Sequence, residues 1–128
     1  MSRILVIDDV ADIRLTIGIT LEIMGHDIIE AENGRLGIER LQKDTFDLVI
    51  TDVYMPEMDG TEVVKYIQKM EQPPPVIVMS GGGDSTGGNK ASQSTVLRVV
   101  KDGADFMLRK PFTGEELKYA VMHVLDNQ

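Results

Sequence analysis

Apolar residues along this chain follow two rhythms. Four short runs, Ile4–Ile7, Leu48–Thr51, Val76–Met79 and Phe106–Leu108, are nearly continuous in apolar or β-branched residues, and a weaker one lies at Asp27–Ala31. Such runs suit parallel strands covered on both faces, where neither side of the strand meets water. Between them the apolar spacing lengthens. Val63, Val64, Ile67 and Met70 share one face of a helix over 62–70, and Leu117, Val121, Val124 and Leu125 do so near the end of the chain. Leu36, Ile38 and Leu41 mark a shorter helix over Leu36–Lys43.

The stretch after the first strand satisfies both rhythms. Ile13, Leu15, Ile17, Ile19, Leu21 and Ile23 alternate strictly, as a strand would. Ile13, Ile17, Leu21 and Met24 also form a helical stripe. The run is well beyond the usual strand length of about 5 or 6 residues. Gly25 stands where a helix commonly ends in the left-handed conformation. The segment therefore reads as a helix, mostly buried. The order is then β-α five times over, with no linker, charge run or internal repeat. Residues 1–128 read as one domain of the α/β class: a five-stranded parallel sheet with helices on both faces through right-handed crossovers.

Ligands of such sheets bind at the carboxyl ends of the strands. Here the first strand runs into Asp8-Asp9, the third into Asp52, the fourth into Ser80 and the fifth into Lys110. Parallel strands bring all five residues to one edge. Three carboxylates there repel one another unless a cation sits among them. With oxygen ligands and neither Cys nor His nearby, a hard ion such as Mg2+ matches the donor set. A lysine and a serine hydroxyl beside it offer a point charge and a hydrogen bond to phosphoryl oxygens. Pro111 biases Lys110 to an extended backbone, which would hold it in place. Each residue has a plainer role, as turn or capping aspartate, capping serine or solvated lysine. The coincidence of all of them at one edge favours a site that handles metal and phosphate.

Composition narrows the classes further. The net charge is -8 and no basic run interrupts it, which disfavours direct nucleic-acid binding and anionic membranes. The absence of cysteine removes disulfides, thiolate zinc sites and cysteine nucleophiles. The amino-terminal apolar run, Ile4–Ile7, falls short of the ~7–15 residues of a signal-peptide core and the ~20 of a membrane span. The chain reads as soluble and cytoplasmic. His26 and His123 have no metal-spaced partner and read as surface residues.

The segments Ile4-Leu5-Val6-Ile7-Asp8-Asp9, Leu48 through Asp52 and on to Met55-Pro56-Glu57-Met58-Asp59-Gly60, Val76 through Ser80-Gly81, and Gly103-Ala104-Asp105 through Lys110-Pro111-Phe112 resemble the receiver domains of two-component signalling. The likeness covers essentially the whole chain, in order and spacing. It implies a flavodoxin-like fold with strand order 2-1-3-4-5. It implies that Asp52 is the phospho-acceptor, that Asp9 is a direct Mg2+ ligand, and that Asp8 helps hold the metal largely through water. The backbone carbonyl of Tyr54 would be a further ligand, and Ser80 and Lys110 would hold the phosphoryl group. The implied donor is a phosphohistidine on a sensor histidine kinase or a phosphotransfer protein, and the output is altered binding to a downstream protein. Such a domain catalyses only its own phosphorylation and dephosphorylation.

Two alternatives stand beside that reading. Within the family, the chain could be an intermediate phosphate carrier or sink in a phosphorelay. Outside it, a small phosphatase with an aspartyl-phosphate intermediate is the competitor; many of those carry Asp-x-Asp, where this chain has Asp52-Val53-Tyr54. A dinucleotide-binding domain is disfavoured, because no Gly-x-Gly-x-x-Gly follows the first strand.

The chain departs from the family twice. Met107 stands where the family often has a Tyr or Phe that rotates as a switch, and Phe106, its neighbour, points to the other side of the strand. The stretch between Ser80 and Gly103 is long and opens with Gly81-Gly82-Gly83. It reads as an extended, mobile loop before a further helix. A phosphate-binding P-loop does not match there, since Asn89 follows Gly88.

Overall fold

A computed structural model of the chain describes residues 1–53, 60–80 and 103–127. Five strands, β1 (Arg3–Ile7), β2 (Asp27–Ala31), β3 (Leu48–Asp52), β4 (Val76–Ser80) and β5 (Phe106–Arg109), form one sheet in the order β2-β1-β3-β4-β5. All neighbouring pairs are parallel. The described helices are α1 (Ala11–Ile23), α2 (Gly34–Lys43), α3 (Gly60–Gln68) and α4 (Gly114–Asp126). The strand order is the one the resemblance implied. The loop and helix expected between Ser80 and Gly103, and the carbonyl of Tyr54, lie outside the described residues.

The central strands are continuous apolar runs because both their faces are covered. Leu5, Ile7, Val49, Val76 and Val78 pack on one face with Leu41 of α2 and Val63, Val64 and Ile67 of α3. Ile4, Val6, Leu48, Ile50, Ile77 and Met79 face the other way, against Ile17 and Leu21 of α1 and Leu117 and Val121 of α4. Edge strand β2 leaves Asp27 and Glu30 exposed, so its signal in the sequence is weaker. Adjacent residues of β5 divide between the two layers, as strand geometry requires. Met107 packs with the α2–α3 layer, while Phe106 joins the other, its ring 6.1 Å from that of Tyr119 and 5.6 Å from that of His123.

Helix α1 corrects the expectation that it is mostly buried. Ile17 and Leu21 are fully covered, but Leu15, Ile19 and Ile23 are 56%, 49% and 78% exposed. The cause is the double rhythm itself. Residues two apart on a helix lie about 200° apart around its axis, so an alternating pattern puts successive apolar residues on opposite faces. His26 also differs from a simple surface residue. It is half-buried, and its Nδ1 accepts a hydrogen bond from the backbone N–H of Ser2 at 3.2 Å. Burial, and then the nearby amino terminus, hold its imidazole below the usual pKa, against a smaller opposing pull from Asp47.

The helix ends show why the elements start where they do. Asn33 caps α2 by accepting from the N–H of Leu36 at 2.8 Å. Thr113 and Glu116 form a reciprocal capping box on α4. At α3 the determinant is a glycine. Gly60 donates its N–H to the carbonyl of Val53 at 2.8 Å and lies against the backbone of Asp52 and Val53, so that a Cβ there would sit 2.9 Å from Val53 Cα and closer still to the Asp52 carbonyl oxygen. Backbone cannot step aside as a side chain can. Gly60→Ala is expected to cost roughly 1–3 kcal/mol through overpacking. Gly114→Ala, where an added methyl meets open space, is expected to be neutral or to stabilise by up to about 1 kcal/mol. Urea unfolding of both variants checks the contrast; equal midpoints would refute the close approach.

Candidate functional site

The register of the sheet builds the site. Ile7 pairs with Thr51, Asp52 with Met79, and Ser80 with Arg109. The residues at or just past these strand ends, Asp8, Asp9, Asp52, Ser80 and Lys110, therefore line one edge. One carboxylate oxygen each from Asp8, Asp9 and Asp52 lies within 4.8 Å of the others. Asp8 is fully buried and Asp52 nearly so, while Asp9 is exposed. Lys110 comes from the end of β5 and sends its Nζ between two of them, 2.8 Å from Asp8 Oδ2 and 2.9 Å from Asp52 Oδ2. The Lys110–Pro111 peptide bond is cis. Ser80 closes β4, and its carbonyl accepts the N–H of Lys110 at 2.9 Å.

The electrostatics follow from that arrangement. Burial alone would pull the ammonium of Lys110 down from its ordinary pKa of 10.5, but hydrogen bonds and charge from Asp8 and Asp52 more than offset it and raise the value. Lys110 is therefore held as a cation between two carboxylates. Asp8 has every oxygen engaged. Oδ1 accepts from the N–H of Val10 at 2.9 Å, Oδ2 from Lys110, and the main-chain carbonyl from Arg14 Nη1 at 2.7 Å. Three carboxylate donors with no nitrogen or sulfur ligand among them match a hard divalent cation, so the residues present fit Mg2+.

Sequence reasoning named Asp8, Asp9, Asp52, Ser80 and Lys110, and the fold puts all five at the same edge. It assigned Lys110 to the phosphoryl group and did not foresee its pairing with Asp8. It also passed over Arg14, which reaches Asp8 from α1 and pairs with Glu30 of β2 at 3.0 Å. The available signal was a lone basic residue one helical turn past Val10. Beside the edge, between α1, β2 and α2, lies a hollow of about 460 Å3 lined by opposite charges, Arg14, Arg40 and Lys43 against Glu30, Glu32 and Glu39. The groups of one chemistry converge at the carboxylates, outside that hollow.

Among the described residues no helix is long and apolar enough to cross a membrane. Residues 4–122 match the family model described as the response regulator receiver domain. The chain is similar to the chemotaxis protein CheY of Bacillus subtilis, 33% identical over 97% of this chain and 98% of that protein. It is also similar to parts of longer proteins. With histidine kinase P4 of Formosa agariphila it shares 31% identity over 99% of its own length and 9% of the kinase. With a probable transcriptional regulatory protein of Picosynechococcus it shares 35% over 91% of its length, spanning 46% of the regulator. The crystal structure of a response regulator receiver domain protein from Clostridium thermocellum superposes with a TM-score of 0.85 at 30% identity, over 99% of this chain and 96% of that one. With its parallel sheet in the order 2-1-3-4-5 and its acidic edge, the chain belongs to the response regulator receiver domain family.

Proposed function

We propose that this receiver accepts a phosphoryl group on Asp52 in a Mg2+-dependent reaction and thereby alters its binding to a downstream protein. The observation that carries the reading is Lys110, whose ammonium stands 2.9 Å from Asp52 Oδ2 within a cluster of three carboxylates. The donor is a phosphohistidine of a sensor histidine kinase or phosphotransfer protein. A carboxylate oxygen of Asp52 attacks phosphorus, the P–N bond breaks, and its electron pair stays on the donor imidazole. Asp9 and Asp52, with help from Asp8, would hold Mg2+, which would supply charge neutralisation for the phosphoryl oxygens. Lys110, already charged and aimed at Asp52, pairs with the new phosphoryl group, and the hydroxyl of Ser80 donates to it. Water later hydrolyses the acyl phosphate. The domain thus modifies itself and turns over no separate substrate. Its expected setting is the cytoplasm.

With Met107 rather than an aromatic ring on the α3 side of β5, the change at Asp52 leaves the site without an aromatic rotation. The ring beside it, Phe106, packs in the opposite layer with Tyr119 and His123.

Incubation with Mg2+ and acetyl phosphate is expected to add one phosphoryl group to the wild type and none to Asp52→Asn, read by intact mass. A base-labile phosphate on the variant would contradict the assignment. A second measurement addresses Lys110. Its ammonium competes with a divalent cation for Asp8 and Asp52, so Lys110→Ala is expected to bind Mg2+ roughly fivefold more tightly, the factor that ~1 kcal/mol of charge repulsion corresponds to. Calorimetric titration with Mg2+ decides it, and weaker binding by the variant would count against the competition.

A further inference from the structure

The side chain of Arg14 is tied to Asp8, the residue before Asp9, and its main chain to Val10, the residue after it, by an ordinary helical bond. Its guanidinium donates through Nη1 to the main-chain carbonyl of Asp8 at 2.7 Å, and its own backbone N–H donates to the carbonyl of Val10 at 3.2 Å. Val10 in turn donates its N–H to Asp8 Oδ1 at 2.9 Å. The Asp8 carbonyl lies on a fully buried residue just past the end of β1, where an unmet acceptor would be costly. Arg14 meets it with a charged donor from a side chain only 16% exposed. The need is sharpened by the helix start. Val10, the N-cap of α1, brings no side-chain cap, so the entry into α1 is fixed by these bonds instead.

We infer that Arg14 is a positioning residue for the metal site: by clamping the main-chain carbonyl of Asp8, directly before Asp9, it sets where the Asp9 carboxylate stands relative to Asp8 and Asp52, without touching the metal. This rests on the reading of that cluster as a Mg2+ site. The forked guanidinium suits the task, because Nε holds Glu30 of β2 at 3.0 Å while Nη1 holds Asp8. One side chain therefore spans α1, β2 and the β1–α1 turn.

Two effects of removing Arg14 have opposite signs, which makes the idea decidable. As a nearby positive charge, its loss would tighten Mg2+ binding; as a clamp, its loss would weaken it. Outer partners of metal ligands commonly account for about 10–100-fold in affinity. Calorimetric titration with Mg2+ alone should therefore show at least about tenfold weaker binding for both Arg14→Gln, which is neutral, and Arg14→Lys, which keeps the charge but loses the fork. Glu30→Gln retains a side-chain carbonyl for Nε, leaves the bond to Asp8 in place, and should stay within about twofold of wild type. Saturating Mg2+ should restore the rate of phosphorylation by acetyl phosphate in the Arg14 variants, since affinity rather than chemistry is lost. Unchanged or tighter Mg2+ binding in Arg14→Gln overturns the inference, as does equal weakening in Glu30→Gln. If urea unfolding shows that neither Arg14 variant folds, the residue serves the fold and the inference falls. Failure of the wild type to bind Mg2+ at all would instead remove the metal site on which it rests.

Discussion

Lys110 and the carboxylates it meets form the contact on which this edge of the molecule depends. Asp8 and Asp52 are almost wholly removed from water, and a buried ionised carboxylate without a partner costs several kcal/mol. Their partner arrives from 102 and 58 residues away in the chain. It does so only if β1, β3 and β5 end at the same height, so the sheet register and the ion pair enforce one another. The arrangement is also unfinished by design. Among the described residues one cation faces three carboxylates, which leaves net negative charge at an edge open to water through Asp9. A divalent ion would complete that balance. On the proposed reading, a phosphoryl group on Asp52 would redirect Lys110 rather than strand it.

What could be read from the sequence divides along physical lines. The central strands were legible because burial on both faces leaves a continuous apolar run, as at Leu48–Ile50 and Val76–Met79. The acidic and basic site residues were legible because a parallel sheet gathers its strand ends, so that position along the chain becomes position in space. The environment of α1 was not legible. Its alternation fits two periods, and nothing in the sequence says which half of the apolar residues a neighbour will cover. Arg14 escaped for a different reason. Its partner at Asp8 is a main-chain carbonyl, which every residue possesses and no motif marks.

Every described member of the site comes from the strand ends of one sheet. The same module accordingly recurs at very different scales, as nearly the whole of a chemotaxis protein and as 9% of a histidine kinase. Here the module's exposed surface includes the apolar residues Leu15, Ile19 and Ile23 of α1 and Tyr119 and Met122 of α4.

The double period of α1 reaches beyond the finished fold. While the chain is being made or is unfolded, Ile13 to Ile23 is a segment of strict alternation, rich in β-branched residues and poor in charge. That is the composition from which intermolecular sheets grow. Alone, a helix of this length and composition is marginal in water, so the helical period is not secured by local preference. Docking Ile17 and Leu21 on the sheet then locks the helical period in place. What withdraws the segment from pairing with other chains is therefore burial of that stripe against the sheet. A lesion that delays the docking of α1 would lengthen the time for which that alternating segment stays open to pairing with another chain.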